Sequence, residues 1–183
     1  MSLPTLLTWA RIGMIPVFVV IFYLPFNWAN EATAAIFLLA AITDWADGYL
    51  ARKLNQTSRF GAFLDPVADK LMVAVTLILL VEANPHPLFA LPAAVIVGRE
   101  IAVSSLREWM AEIGEQAQVA VSMLGKVKTT VQMVSLLFLL YNDPVLDFPT
   151  HEAGIVLLYI AAILTLWSML LYLKAAWPSF QKH

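Results

Sequence analysis

Four aspartates stand in two closely spaced pairs within the stretch DWADGYLARKLNQTSRFGAFLDPVADK. Asp44 and Asp47 are three residues apart and Asp65 and Asp69 are four apart, so each pair lies on one face of a helix. If the two helices fold back antiparallel about a turn midway between the pairs, the four carboxylates form one cluster. Neighbouring carboxylates repel each other by roughly 4 kcal/mol per pair at an effective dielectric near 20. We therefore expect the cluster to bind a hard divalent cation, Mg²⁺ or Mn²⁺, and four carboxylates suffice for two such ions.

A cation-bound acidic cluster of this kind could hold a diphosphate, because divalent ions bridge phosphate oxygens and neutralise the charge of a leaving group. One carboxylate could then take the proton of an attacking hydroxyl, and Asp69 is the candidate for this general base. Two alternatives remain. The aspartates could form a structural salt-bridge network with the neighbouring basic residues, or they could form the ion site of a cation transporter.

The composition favours lipid rather than water as the main surroundings of the chain. Apolar residues make up 61% of its 183 residues and charged residues 13%, whereas about a quarter of the residues in a soluble domain are charged. The chain has no cysteine, which excludes disulfides, thiolate nucleophiles and cysteine-ligated metals. The net charge of −2, without a basic stripe, argues against binding to nucleic acid.

Six apolar segments are long enough to cross a bilayer as helices. We therefore predict an all-α integral membrane protein with a single domain over residues 1–183, in which residues 1–11 either extend the first span or lie along the membrane interface. The first, third and fifth connections contain no Lys or Arg. By the positive-inside rule the opposite, basic side is cytoplasmic, which places both termini in the cytoplasm. The predicted spans are 12–26, 32–50, 63–81, 88–110, 119–141 and 155–173.

The acidic stretch also matches the pattern D-x2-D-G-x2-A-R-x8-G-x3-D-x3-D at every fixed position. It resembles the signature of the CDP-alcohol phosphotransferase family. The resemblance implies a six-helix membrane fold, usually homodimeric, in which a hydroxyl displaces CMP from a CDP-linked lipid or alcohol. It also implies that all four aspartates are metal ligands, with Asp69 as the general base as well. The residues that it implies in CDP binding are Gly48, Arg52 and Ser58, and Thr5 and Thr8 are added as candidates for the same role.

Further segments narrow the expected acceptor. PTLLTWARI, GREI, LREWMAE and GKVKT resemble the bacterial members of this family that transfer a phosphatidyl group from CDP-diacylglycerol to sn-glycerol 3-phosphate. This resemblance implies a location in the bacterial cytoplasmic (inner) membrane, with the active site facing the cytoplasm. Serine, inositol and phosphatidylglycerol remain alternative acceptors. Arg11, near Thr5 and Thr8, is left open between nucleotide phosphate, lipid headgroups and the membrane interface.

A second basic group supports an acceptor that carries a phosphate. Arg99 lies within the fourth predicted span and Arg107 eight residues later, while Lys126 and Lys128 lie early in the fifth. An arginine at membrane depth is expected to face a polar cavity or a partner. We predict that these four residues bind the acceptor phosphate. The alternative is that Arg99 pairs with Glu100 or an aspartate and that the lysines are ordinary interfacial anchors.

Overall fold

The computed structural model describes residues 3–54, 59–114, 123–145 and 147–180, with the side chains of 3–5, 45, 47–54, 59–60, 62, 123–124 and 178–180 excepted. The described ranges contain helices and no strand beyond an isolated bridge between Val145 and Phe148. The predicted all-α class is therefore confirmed. The six helices are α1 (Leu3–Phe22), α2 (Ala29–Leu54), α3 (Arg59–Ala83), α4 (Pro87–Glu112), α5 (Met123–Tyr141) and α6 (Thr150–Phe180).

Each predicted span falls largely within one helix, although residues 119–122 of the fifth span lie outside the described residues and the first span is displaced. α1 already begins at Leu3 and ends at Phe22, so it includes most of the N-terminal segment and stops before the predicted boundary at residue 26. The chain leaves the helix through turn hydrogen bonds from Tyr23 to Val20 and from Leu24 to Ile21. Pro25 follows, and the residue before a proline is disfavoured in the helical conformation.

The start of α4 illustrates how the short connections are set by local chemistry. Pro87 occupies the first turn, where its missing N–H leaves no bond unmade. The side chain of His86 caps the helix by accepting a hydrogen bond from the backbone N–H of Leu88 at 3.2 Å. Its role here is therefore structural, as expected for a histidine in a loop.

All six helices contribute to one core. α1 packs against α2 and α3, α4 packs against α6, and α5 packs against both α6 and α2. The approach of α5 to α6 is close at Gly154, where an added Cβ would lie 2.8 Å from Cγ of Leu139. Small residues allow such approaches between helices in membranes. One fully or almost fully buried side chain from each helix marks the core: Phe18, Phe37, Leu77, Ile96, Leu136 and Leu158.

The outer surface of the bundle is apolar on every helix. Large exposed side chains include Val20, Leu39, Ile78, Ile101, Val127 and Ile163. Soluble monomers rarely expose continuous apolar surface of this kind. Within the described residues, Pro87–Glu112 and Thr150–Trp177 are long and apolar enough to cross a membrane, and Leu6–Phe22 is a shorter apolar helix. The two long helices and the apolar exterior agree with a membrane protein.

Two sets of cross-helix hydrogen bonds lie at opposite ends of the bundle. At one end, Tyr23 after α1 donates to Glu82 near the end of α3, and Tyr159 of α6 donates to the carbonyl of Leu88 at 2.5 Å. The set at the other end contains the residues expected to do chemistry, and its pairs include Arg11–Asp44, Thr8–Asp65, Lys70–Ser104, Arg99–Ser168 and Lys128–Glu100.

Candidate functional site

Arg11 of α1 is bound directly to the first aspartate of the motif. Its Nη1 donates to Oδ1 of Asp44 at 2.8 Å, and the side chain of Arg11 is 1% exposed whereas that of Asp44 is 42% exposed. Arg11 therefore lies inside the bundle rather than at the membrane interface, and its charge offsets part of the charge of the acidic cluster. The hydrogen bond to the carboxylate offsets part of the cost of burying this arginine.

Thr8, one turn before Arg11, contacts the second pair of aspartates. Its hydroxyl donates to Oδ1 of Asp65, and the residue is fully buried. α1 therefore reaches both helices of the motif, Asp44 on α2 and Asp65 on α3. Within the described residues, α1 packs more extensively against α2 and α3 than those two helices pack against each other, so α1 helps to hold the two acidic faces in place.

The structure brings three aspartates into one electrostatic neighbourhood. Asp44 interacts with both Asp65 and Asp69 through like charge, and Asp69 is also within range of Glu100 on α4. Arg11 and Lys70 provide opposite charge near Asp69. Asp44 is thus near enough to both Asp65 and Asp69 to repel them, and this repulsion favours a bound cation.

The donor chemistry of this region fits a hard divalent ion, because carboxylate oxygens are the ligands that Mg²⁺ and Mn²⁺ prefer. Among the side chains that the structure describes, however, no three acidic or histidine residues are grouped closely enough to hold a metal ion. The fourth predicted ligand, Asp47, lies outside the described side chains. The side chains of Thr5 and Arg52, the position of Ser58 and the surroundings of Gly48 are likewise outside them.

A cavity of about 300 Å³ opens between α3, α4 and α5 next to Asp69. Its walls carry both acidic and basic side chains, and its volume suits a small ligand. The polar residues that line it include Asp69, Lys70, Arg99, Glu100, Arg107, Lys128, Thr129 and Gln132. The candidate base and three of the four predicted phosphate-binding residues therefore share one cavity.

Arg99 and Lys128 meet at a single carboxylate. Nη1 of Arg99 donates to Oε1 of Glu100 at 2.7 Å, and Nζ of Lys128 donates to the same oxygen at 2.9 Å. Nη2 of Arg99 also reaches the hydroxyl of Ser168 on α6 at 3.4 Å. Arg99 is thus paired with Glu100, as one of the two alternatives predicted. It also lines the cavity. Lys128 is buried, which argues against an interfacial anchor.

Arg107 and Lys126 differ in their surroundings. Arg107 lines the cavity, and its guanidinium lies over the ring of Tyr172 at 5.4 Å from the centroid, a cation–π geometry that holds the charge in place. Lys126 is exposed and is not among the residues that line the cavity. Lys126 was predicted to bind the acceptor phosphate, but it does not line this cavity.

Gln132 is absent from the sequence predictions although it lines the same cavity. It lies on α5, four residues after Lys128 and hence on the same helix face. A polar amide next to the apolar run that follows it on α5, at membrane depth, is a sequence signal from which Gln132 could have been identified.

A family model for CDP-alcohol phosphatidyltransferase matches residues 1–167 of the chain. Three curated relatives carry the name CDP-diacylglycerol–glycerol-3-phosphate 3-phosphatidyltransferase. The relative from Yersinia enterocolitica is 58% identical over 177 residues, 97% of this chain and 96% of that protein. Those from Salmonella typhimurium and Escherichia coli K12 are 57% and 55% identical over 175 residues, 96% of this chain and 94% of each relative.

Proposed function

The chain belongs to the CDP-alcohol phosphatidyltransferase family, and we propose that it transfers the phosphatidyl group of CDP-diacylglycerol to sn-glycerol 3-phosphate, giving phosphatidylglycerol phosphate and CMP. The observation that carries this proposal is the shared cavity, which Asp69 lines together with Arg99, Arg107 and Lys128. An acceptor with a hydroxyl at one end and a phosphate at the other matches this combination of a base and cations. The names of the relatives point to the same acceptor.

The donor half of the site consists of the motif residues. Asp44, Asp47, Asp65 and Asp69 would hold divalent cations, Mg²⁺ or Mn²⁺, which when bound neutralise the charge of the diphosphate. Gly48, Arg52, Ser58, Thr5 and Thr8 are the proposed contacts to the CDP moiety. Arg11 adds a fixed positive charge beside Asp44, so it supports the cluster from the side of α1.

The reaction in this site is a displacement at phosphorus. Asp69 takes the proton of the glycerol 1-hydroxyl as that oxygen attacks the β-phosphorus, the one bonded to diacylglycerol. The new phosphodiester bond forms as the bond to the bridging oxygen breaks, and the electron pair leaves with CMP. Asp69 suits this role because it is partly buried, borders the cavity and lies near the other acids.

The acceptor can be tested directly. The purified protein with CDP-diacylglycerol and radiolabelled acceptors should release CMP with sn-glycerol 3-phosphate and not with serine, inositol or phosphatidylglycerol. Serine carries no phosphate and would leave Arg107 and Lys128 without a ligand. CMP release with serine but not with glycerol 3-phosphate would overturn the proposed acceptor, whereas cation flux in sealed vesicles without nucleotide would support the transporter alternative.

Replacing Arg107 with Gln should raise the apparent KM for glycerol 3-phosphate about 10-fold, because one charge-assisted hydrogen bond of roughly 1.5 kcal/mol is lost. The KM for CDP-diacylglycerol should change little. Steady-state kinetics in detergent provide the measurement. Lys174→Gln is the matched control, since Lys174 is exposed on α6 and has no assigned part in the site. An unchanged acceptor KM in Arg107→Gln would exclude this residue from the phosphate site.

We propose further that all six helices cross the bacterial cytoplasmic membrane with both termini in the cytoplasm, and that the protein acts as a homodimer. The apolar exterior of all six helices and the placement of basic residues support this orientation. Because the chain has no cysteine, single cysteines introduced at each end of the bundle can be labelled from either side. Labelling of the end of the bundle that contains Asp44 from outside the cell would contradict the proposed orientation.

A further inference from the structure

Gln132 is a buried amide whose side-chain oxygen has no partner. The residue is 6% exposed, and Oε1 forms no hydrogen bond with any part of the chain that the structure describes. Buried amide oxygens are nearly always hydrogen-bonded, since an unpaired one has lost its water without compensation. Because Gln132 lines the cavity, a ligand bound there is the candidate source of the missing donor.

Among the described residues, no neighbouring side chain donates to this oxygen. Lys128, one turn earlier on α5, donates to Glu100 at 2.9 Å. Arg99 donates from Nη1 to Glu100 at 2.7 Å and from Nη2 to Ser168 at 3.4 Å, and its buried Nε forms no hydrogen bond within the described residues. The hydroxyl of Thr129, which also lines the cavity, donates to the carbonyl of Gly125 at 3.0 Å.

The chemistry of the proposed acceptor leaves one group unassigned. In sn-glycerol 3-phosphate the phosphate is matched by cations of the cavity, and the 1-hydroxyl reacts beside Asp69. The 2-hydroxyl is the remaining donor, and it lies between the other two groups along the molecule. An amide oxygen accepts from a hydroxyl without adding charge beside the phosphate.

We propose that Oε1 of Gln132 accepts a hydrogen bond from the 2-hydroxyl of the acceptor, so that Gln132 is a substrate-binding residue that determines acceptor specificity. This inference rests on the proposed function. With the phosphate and the 1-hydroxyl fixed, a third contact at C2 also distinguishes glycerol 3-phosphate from shorter and unbranched phosphoalcohols. A site that hydrogen-bonds a substrate hydroxyl rejects analogues that lack it, because its own polar atom is then left unpaired.

The probe is 3-hydroxypropyl phosphate, which keeps the phosphate and the reacting hydroxyl and lacks only the 2-hydroxyl. Wild type should prefer glycerol 3-phosphate over this analogue by about 10-fold or more in kcat/KM. Gln132→Met should lose about 10-fold in kcat/KM for glycerol 3-phosphate and little for the analogue, so that most of the preference disappears. Thr129→Val, at the same cavity, should keep the wild-type preference.

Wild-type preference retained in a folded Gln132→Met variant would overturn the inference, since the amide oxygen would then be satisfied by water alone. A second variant, Gln132→Glu, keeps an accepting oxygen and adds negative charge. It should retain the preference for the 2-hydroxyl while raising the KM of both phosphoalcohols, and loss of the preference would contradict the assignment. If wild type does not use glycerol 3-phosphate at all, the proposed function fails together with this inference.

Discussion

Asp69→Asn should reduce turnover of CDP-diacylglycerol with glycerol 3-phosphate by about 1,000-fold while leaving the protein folded. Asparagine has nearly the same shape but cannot accept the proton of the attacking hydroxyl, and general base catalysis contributes about 10²–10⁴-fold. The expected loss lies in kcat. The KM for glycerol 3-phosphate should change much less, because the basic side chains of the cavity, Arg99, Arg107 and Lys128, remain.

Radiolabelled glycerol 3-phosphate incorporation provides the measurement, with thermal unfolding in detergent as the check on folding. Asp143→Asn is the matched control: it makes the same chemical change at an exposed position in the connection between α5 and α6, at the opposite end of the bundle. Full activity in Asp69→Asn would remove this residue from the role of base. Equal loss in the two variants would point to a general effect on folding.

Arg11→Gln should make the stability of the protein depend strongly on divalent cations. Arg11 is 1% exposed and lies 2.8 Å from Asp44. Breaking a buried ion pair by removing one partner costs about 3–5 kcal/mol, and the partial exposure of Asp44 should reduce this to roughly 2 kcal/mol. The aspartates then lose the buried positive charge beside Asp44 and keep only that of Lys70 near Asp69, so a bound cation should restore more stability than it adds to the wild type.

Thermal unfolding of the purified proteins with and without Mn²⁺ tests this expectation. Without added metal the variant should unfold at a lower temperature than the wild type, and Mn²⁺ should narrow the difference. Lys174→Gln removes an exposed positive charge and should behave as the wild type at both conditions. An equal rise in the unfolding temperature of the variant and the wild type on addition of Mn²⁺ would contradict the expectation. The charge of Arg11 would then not substitute for a cation at the acidic cluster.

The spacing of the aspartates could be interpreted without coordinates because helical periodicity is a local property. Residues three and four apart share a face whatever surrounds the helix, and long apolar segments predict helices in a membrane protein. The resemblance over the same motif predicted the family, which the match over residues 1–167 shows. The boundary of α1 was less predictable, because its end depends on a turn at Tyr23 and Leu24 before Pro25.

The partners of the charged residues required the tertiary structure. Periodicity gives the face of a helix but not the neighbour which that face meets, since rotation and adjacency follow from the packing of all six helices. Arg11 meets Asp44 because α1 packs against both α2 and α3. Arg99 and Lys128 share Glu100 because α4 and α5 approach at that level.

The sequence by itself thus determined the helical class, the acidic faces and the family, because each rests on local spacing or on a continuous motif. The tertiary structure alone decided that Thr8 and Arg11 contact the aspartates, that Lys126 is outside the cavity wall and that Gln132 is part of it. These features depend on burial and on contacts between residues far apart in the chain, and neither is encoded in the spacing of any one segment.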